Sequence, residues 1–353
     1  MLGIGLYLPA EVRTNDWWPT HVVADWEAKR RENLTRATVE AEDPPTDGVR
    51  LTREAMKAFR DDIFTGARER RVMGQGEKAS DMECAAATDA LQRAGVKPSE
   101  IDLLLVYSPL PDFLIVPQAP LLHARLGLKA ECLSMDTNNG CNAFMHQLEL
   151  AQCYIASGVA KKALIIQSST VAHFCRPQDH HSIWFGDGAS AAVIGQVSDD
   201  RGLLASAHMT DGSFHKALMG GSPGKVWYQA SDLHLYNEDR TCARNMLLLI
   251  SDLAKQILHA GLAKASLSPA EVDFYATHQS TYWFREVTQK YAGLTNARTF
   301  DTFAWTGSLS SCNVPFMLGM GEREGLLRPG DLVAAYSGGS GITYSSAIMR
   351  WGA

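Results

Sequence analysis

The chain has 353 residues, of which 46% are hydrophobic and 20% are charged, and its formal net charge is −6. This length exceeds one ordinary hydrophobic core and predicts two domains or one large double-lobed α/β unit. The slight acidity gives no reason to expect nucleic acid as a partner. No apolar run approaches the roughly 18 residues of a membrane span, and the first residues lack the basic segment of a secretion signal.

The cysteines and the acidic and histidine residues show no pattern typical of a metal site. The seven cysteines are odd in number and scattered, with no CxxC pair. This argues against a disulfide framework or a structural zinc site and favours a reducing cytoplasm. The cluster "DHH" at residues 179–181 has no further ligands at metal-binding spacing. We therefore expect a cytoplasmic protein without a metal and without a membrane partner.

The predicted elements begin with an unusual segment and continue as alternating strands and helices. Residues 17–62 are rich in charge and predict an inserted, partly helical cap or a surface loop. After them, near-continuous apolar runs alternate with stretches compatible with helices, which predicts buried, largely parallel strands. The predicted strands are residues 103–107, 132–136, 163–167, 191–195, 274–277, 332–336 and 345–350.

An internal duplication runs through the chain. "KPSEIDLLLVYSP" resembles "LSPAEVDFYATHQS", and the same spacing pairs Cys141 with Cys312 and Asn142 with Asn313. Several matches at one spacing and in one order predict two structurally similar halves. We place an N-terminal half at residues 1–200, with the insertion at about 17–62, and a C-terminal half at residues 201–353.

Cys141 lies where a predicted strand and the polar turn "TNNG" lead into a helix. A thiol in the first turn of a helix lies near the positive end of the helix dipole and near free backbone N–H groups. Both effects lower a thiol pKa and favour a thiolate nucleophile. The alternative is a small core cysteine, and Cys312 has similar local surroundings, so position alone does not choose between them.

Two further segments fit the chemistry of an activated thiol. His278 ends the predicted strand in "VDFYATHQ", and ligands bind at such strand ends in open α/β sheets. A cysteine and a histidine within hydrogen-bond reach form an activated nucleophile; the alternative is a structural histidine. The glycine-rich "SGGSGITYSSA" could present a backbone N–H to a reaction centre, as an oxyanion hole requires, or could be a plain turn.

These motifs together resemble the thiolase-fold condensing enzymes, and within them β-ketoacyl-acyl-carrier-protein synthase III. The resemblance covers nearly the whole chain and implies a five-layer α-β-α-β-α sandwich of two duplicated halves, usually as a homodimer. The motifs that carry it are "GIGLYLPAEVRTN", "TGARERRV", "GCNAF", "FGDGASAAV", "THQS", "TGSLSSCNVP" and "SGGSGITYSSAIMRW".

The resemblance implies a role for each matching residue. The nucleophile falls on Cys141, the catalytic histidine on His278, and the oxyanion glycine on Gly341, beside the N–H of Cys141. Cys312 becomes the structural counterpart of the nucleophile in the second half. The acyl donor would be acyl-coenzyme A or an acyl carrier protein, with no tightly bound cofactor.

The sequence departs from the family at positions that bear on the reaction. The family's catalytic asparagine aligns with Ser308, and Asn313 follows in the same motif. Because the usual asparagine and histidine bind the malonyl thioester carbonyl, decarboxylation of the usual type is in doubt. We therefore expect a condensing enzyme of secondary metabolism that transfers a cysteine-bound acyl group to a carbon nucleophile of a small-molecule acceptor. The alternatives are a hydroxyl or amine acceptor, or a non-catalytic subunit of a heterodimeric synthase.

The expected coenzyme A and carrier-protein contacts also differ. Where the family has a tryptophan and an arginine around adenine, this chain has Arg60 and Phe64. Where a basic residue usually follows the histidine, this chain has Trp283 in "TYWF". These rings suggest a bulky or apolar partner, or simple packing of the lobe.

Overall fold

The computed structural model describes the backbone of residues 1–37 and 45–352 and the side chains of residues 1–30 and 45–352. Part of the predicted insertion, residues 38–44, lies outside the described residues. The described strands are β1 (Gly3–Tyr7), β2 (Glu11–Thr14), β3 (Glu69–Val72), β4 (Leu103–Tyr107), β5 (Leu133–Asp136), β6 (Lys162–Ser169), β7 (Gly188–Gly195), β8 (Gly202–Thr210), β9 (Met219–Gly221), β10 (His234–Tyr236), β11 (Phe274–Thr277), β12 (Leu332–Gly339) and β13 (Thr343–Arg350). The described helices are α1 (Thr20–Ala37), α2 (Asp47–Ala58), α3 (Ala79–Ala94), α4 (Gln118–Leu126), α5 (Ala143–Ala156), α6 (Arg240–Leu248), α7 (Ile250–Lys264), α8 (Phe284–Ala292), α9 (Phe303–Thr306) and α10 (Asn313–Arg323).

Two mixed sheets share one strand order. The first sheet runs β1-β7-β6-β4-β5 and the second runs β8-β13-β12-β11. In the second sheet, an isolated parallel bridge between Phe274 and Arg298 occupies the position equivalent to that of β5 in the first sheet. The first sheet lies wholly before residue 196 and the second begins at Gly202. The domain boundaries near residue 200 themselves stay a prediction.

All seven predicted strands are present, but their predicted direction was only partly right. Pairing is parallel between β6, β4 and β5 and between β11 and β12. It is antiparallel where β7 joins β6 and β1, and where β13 joins β12 and β8. The prediction of largely parallel strands was wrong for β7 and β13 because a continuous apolar run reports burial on both faces and not strand direction.

The helices complete five layers, as expected for a thiolase-like α/β fold. One core cluster lies between the sheets and contains side chains of the two middle helices, such as Phe144 and Leu148 of α5 and Met317 and Leu318 of α10. A second cluster joins α3 and α4 to the outer face of the first sheet. A third joins α7 and α8 to the outer face of the second sheet. The order is therefore α-β-α-β-α.

The described residues between 17 and 62 are largely helical and are called the cap below, whereas their status as an insertion stays a prediction. Buried Trp18 and Trp26 pack with Ile63 and Ile183 of the body, and the Trp26 indole N–H donates to the Gln178 carbonyl at 2.8 Å. The Arg30 guanidinium donates to the carbonyls of Phe59 and Asp62. These contacts fix α1 against the loop after α2, beside the cavity described below.

No single helix in the described part of the chain is both long and apolar enough to cross a membrane. Helices α6 and α7 together are long and apolar enough, but they are bent by 51° at the break between them. No group of three or more metal-ligating side chains is found in the part of the chain that the structure describes.

Candidate active site

Cys141 lies at the junction of the two halves. It belongs to the 3₁₀ turn Gly140–Asn142, immediately before α5, and Gly140 takes a φ of 55° that favours glycine. The equivalent turn of the second half, Ser310–Cys312, precedes α10 and faces the turn that holds Cys141. The Ser310 hydroxyl donates to the Cys141 sulfur at 3.2 Å. The duplication therefore brings two loops that are distant in sequence to one point.

The pKa of Cys141 does not follow the prediction from helix position. Burial of the thiol raises its pKa above the ordinary value, and this outweighs the lowering by hydrogen bonds from Ser310 and from the N–H groups of Cys141 and Ser340. The predicted lowering was wrong because desolvation penalises the thiolate more than the local donors stabilise it. The Cys141 side chain at neutral pH is therefore a thiol and not a thiolate.

Cys312 has the surroundings of a core residue. Its side chain is fully buried, and its thiol donates to the Gln167 carbonyl at 3.3 Å. Desolvation raises its pKa to about 12. At neutral pH this thiol is uncharged and inaccessible, which are the properties of a core cysteine.

His278 lies directly after β11, and its ring is held on one side. Its Nδ1 lies 2.9 Å from the Asn313 amide nitrogen and 3.3 Å from the Ser310 carbonyl oxygen. Phe284 packs edge-on against the ring, with 5.7 Å between centroids. Burial lowers the pKa of His278 to about 4, so the imidazole is neutral at physiological pH.

Cys141 and His278 line one cavity of about 370 Å³. Most of its wall is apolar and comes from the cap, from the bent pair α6–α7 and from the end of the second sheet. Trp283 contributes to the wall and is itself 5% exposed, so it both packs the lobe and faces the site. The other apolar residues that line the cavity include Met56, Met246, Leu247, Ile250, Leu253 and Ile342. This shape suits an apolar chain attached to a reactive carbonyl.

The alignment implies that Ser308 and Gly341 act on the substrate directly, but the structure gives each of them an indirect position at the site. Ser308 is fully buried and accepts a hydrogen bond from the Asn313 amide at 3.2 Å, and it is not among the described residues that line the cavity. Gly341, with a φ of 113°, follows Ser340, whose N–H lies beside the Cys141 sulfur. The roles of both residues stay predictions.

The sequence did not single out Ser310 and left Asn313 open. Both lie in "GSLSSCN", but Ser310 takes a φ of 52°, which turns its hydroxyl to the sulfur and its carbonyl to His278. A positive φ at serine is not readable from sequence because this conformation is uncommon outside glycine. The duplication was the available signal, since Asn313 is the counterpart of Asn142, which adjoins Cys141.

The expected adenine-binding residues have other partners. Arg60 is exposed and pairs with Asp61 at 3.3 Å. Phe64 packs against Trp18, with ring centroids 5.8 Å apart, and the buried Arg70 guanidinium lies 5.6 Å from the Phe64 ring. The two side chains therefore do not form a sandwich for a flat base.

Comparison with known proteins points to one family. The family model for 3-oxoacyl-[acyl-carrier-protein] synthase III matches residues 135–212, and the model for its C-terminal part matches residues 262–351. The β-ketoacyl-[acyl-carrier-protein] synthase III of Escherichia coli O9:H4 is 30% identical over 354 residues, covering 99% of both chains. That of Aliivibrio fischeri is 27% identical, again over 99% of both chains.

Solved structures agree with the fold. The 3-oxoacyl-[acyl-carrier-protein] synthase III of Aquifex aeolicus VF5 has a TM-score of 0.79 at 23% identity, over 99% of both chains. OleA of Xanthomonas campestris has a TM-score of 0.78 at 20% identity, over 99% of this chain and 98% of that one. The duplicated five-layer fold, the junction that holds Cys141 and His278 and the full-length similarity together show that the chain belongs to the thiolase-fold β-ketoacyl-acyl-carrier-protein synthase III family of condensing enzymes.

Proposed function

We propose that Cys141 takes an acyl group from an acyl-coenzyme A or acyl-carrier-protein thioester and passes it to a carbon nucleophile. The observation that carries this proposal is that Cys141 and His278 line the same, mostly apolar cavity. We further propose that the reaction belongs to secondary metabolism and proceeds without malonyl decarboxylation of the usual type. These proposals specify the substrates and the mechanism of this chain as a ketosynthase III-like condensing enzyme.

The first half-reaction is a thioester exchange. The Cys141 sulfur attacks the donor carbonyl carbon, a new S–C bond forms, the donor S–C bond breaks, and the thiol proton ends on the departing thiol. The Ser310 hydroxyl, 3.2 Å from the sulfur, stabilises the developing thiolate. We propose that the N–H groups of Cys141 and Gly341 donate hydrogen bonds to the oxyanion, as the resemblance to the family implies.

In the second half-reaction the acceptor carbon loses a proton and attacks the acyl carbon, a C–C bond forms, the acyl S–C bond to Cys141 breaks, and the released Cys141 thiolate takes up a proton in place of the one lost by the acceptor. His278 faces this step from the same cavity. The departure at Ser308 supports a nucleophile other than the usual malonyl unit, because Ser308 is buried behind Asn313 and outside the cavity wall. Loss of one donor to a developing oxyanion costs about 3 kcal/mol of barrier.

The acyl group proposed is longer than acetyl. Each methylene that leaves water for an apolar wall contributes about 0.8 kcal/mol, and the cavity that Cys141 lines is also lined by Met246 of α6 and by Ile250 and Leu253 of α7. A structure of the similar OleA protein is described with bound lauric acid and lauroyl-CoA. Both observations support a medium or long acyl donor.

A homodimer is also proposed. Four consecutive apolar residues of the loop before α4, Phe113, Leu114, Ile115 and Val116, are 54%, 76%, 92% and 51% exposed. The nearby β5 is an edge strand, and its Leu133 is 43% exposed. An open apolar loop beside an unpaired edge strand is typical of an interface that a second copy covers. Sedimentation analysis tests this, and a monomer at micromolar concentration contradicts it.

The test of the proposed function is intact-protein mass spectrometry. Wild type, Cys141→Ala and Cys312→Ala are each mixed with acyl-coenzyme A and acyl-carrier-protein thioesters of graded chain length. We expect an acyl mass increment on wild type and on Cys312→Ala but not on Cys141→Ala, with the chain length of best loading naming the donor. Absence of any adduct on wild type contradicts the proposal and favours the non-catalytic subunit.

Products formed from the loaded enzyme separate the acceptor classes. A new C–C bond in the product supports condensation, whereas an ester or amide assigns the protein to acyl transfer onto a hydroxyl or amine. The same acylated enzyme serves all three reactions, so the loading experiment alone does not distinguish them.

A further inference from the structure

The Asn313 side chain has a fixed orientation behind His278. It is fully buried, and its carbonyl oxygen accepts the Leu309 backbone N–H at 2.9 Å. Its nitrogen lies 2.9 Å from His278 Nδ1 and 3.2 Å from the Ser308 hydroxyl oxygen. Exchanging the oxygen and nitrogen would set the amide N–H groups against the Leu309 N–H, donor against donor, so the contacts themselves determine which atom faces the histidine.

This orientation constrains the proton on His278. An amide NH₂ only donates, so the atom opposite it must accept, and a neutral imidazole that accepts at Nδ1 carries its hydrogen on Nε2. The Ser310 carbonyl favours the opposite tautomer, but it lies 3.3 Å from Nδ1, beyond the usual N–H···O distance of about 2.9–3.0 Å. A hydrogen on Nδ1 would also point at the hydrogens of Asn313.

We propose that Asn313 is a positioning residue that holds His278 in the neutral tautomer with the hydrogen on Nε2. Asn313 and Ser310 occupy the Nδ1 side of the ring, and His278 lines the cavity, so Nε2 is the nitrogen presented to the substrate. His278 then acts on the substrate as a hydrogen-bond donor to an oxygen that gains negative charge. This consequence rests on the proposed acyl transfer; the tautomer itself does not.

The arrangement differs from a direct replacement of the family's asparagine. Ser308, at the aligned position, receives a hydrogen bond from Asn313 and does not reach the described part of the cavity wall. Asn313 acts from the other side of the imidazole and contacts only Nδ1. It therefore controls the histidine and makes no contact with the substrate.

The test is a nuclear magnetic resonance measurement of the histidine side chains in protein labelled with ¹⁵N-histidine. The His278 signals are assigned by their loss in His278→Gln. We expect the wild type at pH 8 to show the hydrogen on Nε2. A wild-type signal with the hydrogen on Nδ1 overturns the proposal without reference to any variant, substrate or activity.

Asn313→Asp supplies the matched perturbation. The carboxylate keeps an acceptor for the Leu309 N–H but offers only acceptors to Nδ1, so the hydrogen is drawn to Nδ1 and Nε2 loses it at pH 8. The nearby carboxylate also raises the pKa of His278 from about 4. An unchanged tautomer in Asn313→Asp contradicts the assignment.

Ser308→Ala is the control, because it removes the other contact of the Asn313 nitrogen and leaves the Leu309 bond to its oxygen. We expect its His278 tautomer to match wild type, and a shift to Nδ1 would refute control by Asn313 alone. With loaded enzyme, Asn313→Asp should still acylate at Cys141 but condense about a hundredfold more slowly. Failure of wild type to acylate at all refutes the proposed function and leaves the tautomer result standing.

Discussion

Glu83 is a buried carboxyl whose replacement tests the energetics of the first half. It lies on α3, fully buried, and its two oxygens accept hydrogen bonds from the Ser168 hydroxyl at 2.6 Å and the Gln118 amide at 2.7 Å. Desolvation raises its pKa from 4.5 to about 7, against the lowering by its hydrogen bonds. Glu83→Gln keeps a group of the same shape that accepts from Gln118 and donates to Ser168.

The magnitude follows from the pKa of the folded state. Because the folded pKa of about 7 lies above the unfolded value of 4.5, the folded protein binds this proton more tightly. The contribution to the free energy of unfolding is fully present below pH 4.5 and is lost as pH rises to 7. At 1.36 kcal/mol for each pKa unit, the ionised carboxyl destabilises the folded protein by about 3 kcal/mol.

Urea unfolding of wild type and Glu83→Gln at pH 5 and pH 8 measures this difference. We expect the two free energies of unfolding to be similar at pH 5 and the variant to be more stable by up to about 3 kcal/mol at pH 8. Glu131→Gln, at an exposed position, is the control and should show no such change. A wild-type to Glu83→Gln difference that is the same at both pH values would refute the reasoning.

Two further predictions concern the nucleophile and the cavity. In Ser310→Gly, which tolerates the φ of 52° but lacks the hydroxyl, the pKa of Cys141 should rise further, since the variant loses a hydrogen bond that stabilises the thiolate. The pH dependence of iodoacetamide alkylation, read at Cys141 by peptide mass spectrometry, checks this, and an unchanged profile contradicts it. In Met246→Trp, the larger side chain on α6 reduces the volume of the cavity. If the cavity loses room for about two methylenes, loading of the longest accepted acyl chain should fall roughly tenfold. Loading of the shortest donor is the internal control, and an equal loss for all chain lengths would point to general damage.

The sequence by itself determined the elements and the duplication. All seven strands predicted from apolar runs were found, including β4 and β11 with their exact ends. One of them, β5, is not buried as predicted, and the other six described strands were not predicted. The repeat of Cys141–Asn142 at Cys312–Asn313 predicted two equivalent turns, and each turn precedes a middle-layer helix. These are local properties, because helix and strand periodicity depends on which side chains neighbour each other along the chain.

Only the tertiary structure decided what happens where the halves meet. Three features depend on segments that are far apart in the sequence. They are the direction of β7 and β13, the contact of Ser310 with Cys141, and the place of Asn313 behind His278. The pKa of Cys141 shows why: the helix start favours a thiolate, but burial between the halves raises the pKa. Desolvation depends on every atom packed around a group, and the sequence alone does not place those atoms.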